Sequence, residues 1–202
     1  MRIILVLIAL FALSGQSYAL TQYEFSYNYE KQVYGSSREN LQVGRNYSVE
    51  ISYFLTAYTA IELGYGQGNL ENYINSPVSG TVDGVAITRQ FNLIEEKNYR
   101  LSLKQALSSS KSFIRPFISL GYAKQVIENL TEYDLKSGDT NFSIEGEVEE
   151  MENDSVFGSF SLAFGVSSRF SITTSVQTIF PAFEWEKAKD TLKYFAGISF
   201  II

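Results

Sequence analysis

Near the end of the chain every second residue is apolar. Leu192, Tyr194, Ala196, Ile198, Phe200 and Ile202 alternate with Lys193, Phe195, Gly197 and Ser199, and in a strand successive side chains point to opposite faces. A strand with one apolar and one mixed face must pair with a sheet that is already made. The same period recurs at Tyr23, Phe25, Tyr27 and Tyr29, which alternate with Glu24, Ser26, Asn28 and Glu30. This is the signature of half-buried strands. After Ala19 no apolar run reaches the length of about 20 residues that a membrane-crossing helix needs. One all-β domain is the reading.

Tracing the alternation along the chain gives eight strands, at roughly 22–33, 43–54, 58–67, 93–106, 113–124, 155–166, 170–180 and 192–202. Short turns near 55–57, 107–112 and 167–169 alternate with longer polar connections at 34–42, 68–92, 125–154 and 181–190. Pro116, which lacks an N–H, marks a strand start or a bulge. Short and long connections in strict alternation predict an eight-stranded antiparallel up-and-down transmembrane β-barrel, with short turns on the periplasmic side and long loops outside.

Ahead of this domain, Met1-Arg2, an apolar run over 3–13 and Ser17-Tyr18-Ala19 have the order of a secretory signal peptide, cleaved after Ala19. The predicted division is therefore a signal peptide at 1–19 and a barrel at 20–202. The sequence has no cysteine, which excludes disulfides and a cysteine-linked lipid. It also has no histidine, so no Ser-His or Asp-His site can be built. With no Cys/His metal cluster and no phosphate-binding glycine loop, neither an enzyme nor a cofactor is expected, and no nucleic-acid partner.

In a soluble barrel such as a lipocalin the apolar face lines a cavity; in a membrane barrel it meets lipid. Three features predict the membrane orientation. Gly64, Gly66, Ser102, Ser119, Gly121, Ser159, Ser161 and Ala163 share the polar face, as a narrow interior requires. Tyr23, Tyr53, Tyr65, Tyr122 and Tyr194 recur towards the ends of the apolar faces, where aromatic girdles belong. The middles of those faces are almost free of charge. Pointed inward, Glu24, Glu30, Glu50, Glu62, Arg100, Lys104, Arg115 and Lys193 share one lumen. Glu50, Glu62, Arg100 and Lys104, with Arg115, are the predicted charge cluster, a filler of the barrel in preference to an ion gate, since eight strands leave just enough room for side chains. On the outward phase, Lys31, Arg45, Lys97 and Lys124 lie near the loop-side strand ends and are candidates for lipopolysaccharide phosphates. The acidic connection 125–154 fits no calcium-loop spacing and is predicted to be a solvated loop.

Arg115-Pro116-Phe117-Ile118-Ser119-Leu120-Gly121-Tyr122, with the eight-strand layout, resembles the small outer-membrane β-barrel superfamily that includes the OmpA transmembrane domain and the OmpX and OmpW groups. The resemblance implies a monomer in the bacterial outer membrane with outer-membrane lipid and lipopolysaccharide around it. It also implies periplasmic chaperones and the barrel-assembly machinery as partners in biogenesis. Members usually finish on an aromatic residue that this machinery reads; here Tyr194, Ile198, Phe200 and Ile202 are the matching positions, with Ile202 in the aromatic's place. Three functions follow as expectations: a structural or surface-interaction barrel with a filled lumen, an OmpW-like narrow channel for small or apolar solutes, and a soluble lipocalin-like lipid-binding barrel.

Overall fold

The computed structural model describes residues 20–35, 38–75, 81–82, 85–109, 112–182 and 184–202. The predicted signal peptide at 1–19 lies outside the described residues. Ten strands form in chain order: β1 (Thr21–Tyr34), β2 (Asn40–Phe54), β3 (Thr59–Ile74), β4 (Thr81–Val82), β5 (Val85–Ala106), β6 (Ile114–Ser137), β7 (Thr140–Glu145), β8 (Glu149–Gly165), β9 (Phe170–Pro181) and β10 (Lys193–Ile201). Every pairing is antiparallel, and the ring closes because β1 pairs with β10 and β5 pairs with β6. Eight strands make the barrel; β4 and β7 only extend the outer connections of β5 and β6. Closure removes the open edges that a sheet cannot leave in lipid.

The register fixes which face is which. Tyr23 is opposite Phe200 and Phe25 opposite Ile198, so the β1 and β10 apolar faces join. Leu63, Leu101, Leu103 and Leu120 stand more than half exposed on the outside, whereas Glu24, Glu50, Glu62, Arg100 and Lys104 are buried inside. A soluble lipid-binding barrel has the opposite polarity, so that expectation falls. Tyr65 and Tyr99 face each other outside, with ring centroids 5.4 Å apart. Towards the short-turn end the lumen closes on an apolar plug of Phe54, Ala60, Ala106, Phe117 and Ala163.

Gly121 and Gly197 let neighbouring strands approach. A Cβ on Gly121 would overlap the Leu101 carbonyl oxygen and sit 2.5 Å from Ser102 Cα. On Gly197 it would overlap the Phe25 carbonyl oxygen. Gly121, within the Arg115–Tyr122 stretch, is thus a packing requirement of the β5/β6 seam.

The strands run well past the predicted boundaries. β5 has 22 residues and β6 has 24, and much of what composition assigned to loops at 68–92 and 125–154 is paired sheet. β6 pairs with β8 up to Asn129, then exchanges that neighbour for β7. The two-residue turn from β6 to β7 opens on Gly138, whose φ is 59°, a conformation that favours glycine. The physical reason is that the pattern changes with the solvent. Within the barrel the lumen phase is polar and the outer phase apolar. Above it both phases are mixed: the lumen phase carries Leu70, Ile94, Ile127 and Tyr133 among Asn72, Asn92, Asn129 and Thr131, and the outer phase carries Tyr73, Phe91, Leu93 and Leu130 among Glu71, Glu95, Glu128 and Glu132. A strand with water on both sides need not separate apolar from polar residues, so its alternation blurs.

Candidate functional site

Three polar tiers occupy the lumen above the apolar plug. In the lowest, Lys104 Nζ lies 2.8 Å from Glu62 Oε2 and 3.4 Å from Glu24 Oε2. Ser52 and Ser102 each donate a 3.0 Å hydrogen bond to Glu62. The Lys104 ammonium also lies 5.1 Å from the centre of the Phe117 ring, a cation-π contact that closes the tier from below.

In the second tier the Arg100 guanidinium stands 3.2 Å from Glu50 Oε1, donates to Gln177 Oε1 at 2.7 Å and also donates to Ser48 Oγ. Gln177 returns a bond to Glu50 at 3.2 Å, and Arg100 stacks over Phe157 at 4.8 Å. The third tier holds Lys193 and Glu96, 2.7 Å apart. Gln125 donates to Glu96 at 3.0 Å, and Lys193 donates to Asn46 at 3.2 Å. Alternation builds all three tiers, because Glu96, Arg100 and Lys104 are lumen-phase residues of β5 while β1, β2, β3 and β10 supply their ion-pair partners and β6 and β9 add Gln125 and Gln177.

The predicted cluster therefore divides. Glu62 with Lys104 and Glu50 with Arg100 form separate pairs on successive levels, and Glu24 joins the lower one. Arg115 does not join: it makes no ion pair among the described residues, and its guanidinium lies over Phe117 at 5.1 Å. It sits one residue into β6, at the plug, too low to reach the carboxylates. Glu30 stands exposed at the outer mouth. Sequence reasoning missed Glu96 and Gln177. Glu96 shares the parity of Arg100, so period two alone marks it; Gln177 is a neutral residue on a strand whose lumen face, with Thr173 and Ser175, carries no charge.

Above the Arg100 tier the lumen opens into a cup of about 380 Å³, lined among others by Glu30, Gln42, Gly44, Leu70, Ile94 and Lys193. Gly44, Gly66 and Gly68 also line it, and the side chains of Asn98 and Asn46 lie over Gly66 and Gly68.

Outside, each predicted phosphate ligand stands two residues above a tyrosine on the same face: Lys31 over Tyr29, Arg45 over Tyr47, Lys97 over Tyr99 and Lys124 over Tyr122. Two residues of strand are roughly 7 Å, which carries the charge from an aromatic girdle to the headgroup layer. Three of the four have partners on an adjoining strand: Arg45 with Glu71 at 2.7 Å, Lys97 with Glu128 at 3.0 Å and Lys124 with Glu152 at 2.8 Å. Lys31 is exposed. Tyr194, Ile198, Phe200 and Ile202 lie exposed on the outside of β10 and just past its end.

No protein-family model matches the sequence, and no curated protein matches it. Solved structures do match in fold. The outer membrane protein OprG of Pseudomonas aeruginosa aligns with a TM-score of 0.53 at 11% identity, over 94% of this chain and 98% of that one. The N-terminal β-barrel domain of Pseudomonas aeruginosa OprF aligns with a TM-score of 0.51 at 14% identity, over 93% of this chain and 100% of that one. Closed strand order, inverted polarity and these likenesses agree: the chain has the fold of the small eight-stranded outer-membrane β-barrels.

Proposed function

We propose that the protein is an integral β-barrel of a bacterial outer membrane, with a lumen closed by ion-paired side chains and a structural or surface-interaction role. One observation carries the reading: within an apolar exterior, charged and hydrogen-bonded groups fill the lumen at three levels and an apolar plug lies beneath them. An eight-stranded barrel has an interior just wide enough for its own side chains. The extended outer parts of β5, β6 and β8, with β7, supply the surface for contacts outside the cell. The neighbours are outer-membrane barrels, which supports the location.

Lys31, Arg45, Lys97 and Lys124 meet lipopolysaccharide headgroups in this reading, and their height above the tyrosines supports it. For Arg45, Lys97 and Lys124 a phosphate has to share or displace a glutamate that is already bound. Biogenesis runs through periplasmic chaperones and the barrel-assembly machinery, with the outer face of β10 as the segment recognised.

Expression in a Gram-negative host tests the location. The protein is expected in the outer-membrane fraction, with heat-modifiable gel mobility. Protease added to intact cells is expected to cut between 130 and 150. Recovery as a soluble periplasmic protein would overturn the reading.

A further inference from the structure

The cup at the outer end of the lumen joins carboxylates to an aliphatic wall. Its floor is neutral in pairs: Arg100 is held by Glu50, and Lys193 by Glu96. Two further carboxylates line it, Glu30 from β1 and Asp190 from the connection before β10, and neither has an ion pair among the described residues. Gln42 adds an amide with no side-chain hydrogen bond among the described residues. Between these polar groups the wall is aliphatic: Leu70 and Ile94 are direct cross-strand partners on one side, and Ile179 and Leu192 come from the β9 and β10 side.

The charge of the lumen has a sign as well. Glu24, Glu30, Glu50, Glu62, Glu96 and Asp190 face Arg100, Lys104 and Lys193, with Arg115 below at the plug, six carboxylates against four cations. Low-dielectric walls focus the field of such an imbalance along the axis of a cleft, so the cup draws cations and repels anions. An inorganic cation would leave the aliphatic wall unused. A neutral apolar solute would leave Glu30 and Asp190 unused. A ligand that uses both has ammonium groups joined by methylenes.

We propose that this cup is a binding site for aliphatic polyamines, with ammonium groups at Glu30 and Asp190 and the methylene chain along Leu70, Ile94, Ile179 and Leu192. Gly44 makes room for the chain. A Cβ there would meet only the Leu70 side chain at 3.4 Å and Glu30 at 3.6 Å or beyond, so a larger residue at 44 enters the cup without striking backbone. The site is blind, because the Arg100 tier and the plug lie beneath it; binding is therefore expected without passage.

The test is calorimetric titration of spermidine into the whole barrel in lipid nanodiscs, with magnesium and tetramethylammonium as controls. Magnesium carries charge without methylenes, and tetramethylammonium carries charge without N–H donors. Saturable spermidine binding is expected, at least tenfold tighter than either control. Glu30→Gln with Asp190→Asn is expected to weaken it at least tenfold, and Gly44→Leu to abolish it, with heat-modifiable mobility retained in both. No saturable binding overturns the proposal. So does equal binding of magnesium, which would mark general attraction to the acidic outer strands, or an affinity unchanged in both variants. A steady channel current in the same protein would contradict the closed lumen while leaving this binding result to be read on its own.

Discussion

Lys104→Met removes a cation and keeps the length of its stem. In the native lumen Lys104 is 1% exposed, its ammonium is 2.8 Å from Glu62 and 3.4 Å from Glu24, and it also donates to Ser52 at 3.3 Å. Methionine can follow the same path over Phe117, so the cavity contribution is small and the loss is electrostatic. It leaves Glu24 and Glu62 as neighbouring buried carboxylates with no cation between them. Removing one partner of a buried pair costs about 3 to 5 kcal/mol, because the other charge stays desolvated and uncompensated. Urea-induced unfolding in lipid vesicles, followed by tryptophan fluorescence, reads the difference. Adding Glu62→Gln and Glu24→Gln to Lys104→Met removes every charge in the tier while glutamine can keep the hydrogen bonds from Ser52 and Ser102. That triple variant is expected to recover to within about 1 kcal/mol of the native barrel, since buried pairs replaced as a set are often close to neutral. A cost below about 1 kcal/mol for Lys104→Met alone, the range of exposed pairs, would refute the argument that this lysine holds the tier together.

Gly121→Ala forces a methyl group onto the β5 backbone and is expected to cost about 1 to 3 kcal/mol, as overpacking does. Gly158→Ala, whose Cβ meets only Thr178 at 3.5 Å, is the near-neutral control in the same unfolding assay. Replacing residues 130–148 by a short turn removes sheet that stands above the β6/β8 pairing, and is expected to leave vesicle stability within about 1 kcal/mol of native. A larger loss would place those residues inside the cooperative barrel. Changing Lys31, Arg45, Lys97 and Lys124 together to glutamine is expected to reduce the lipopolysaccharide that co-purifies with the barrel; unchanged retention would remove these residues from any headgroup role.

Much of this architecture was legible because a membrane barrel writes its two solvents into two alternating faces. Tyr23 to Tyr29 against Glu24 to Glu30 is enough to place β1, and the parity of Arg100 and Lys104 is enough to put both in the lumen. What parity does not give is height. Arg115 has lumen parity and the right charge, yet it enters at the plug, because vertical position depends on strand tilt and register, which a single sequence does not show. The extended parts of β5 to β8 were missed for a different reason. Above the barrel both faces mix apolar and polar residues, with Leu93 and Leu130 beside Glu95 and Glu128 on the outside, so period two gives no clear strand signal there. The Gly138-Asp139 turn between Leu135 and Phe142 is a hairpin signal in its own right, and it stood in the sequence.

Single-channel recording of the purified barrel in a planar bilayer measures directly whether the lumen is closed. With Lys104, Arg100 and Lys193 each held by a carboxylate at 2.8 Å, 3.2 Å and 2.7 Å, no steady open current is predicted at neutral pH. Large, steady open currents would contradict the filled lumen and establish the barrel as a channel.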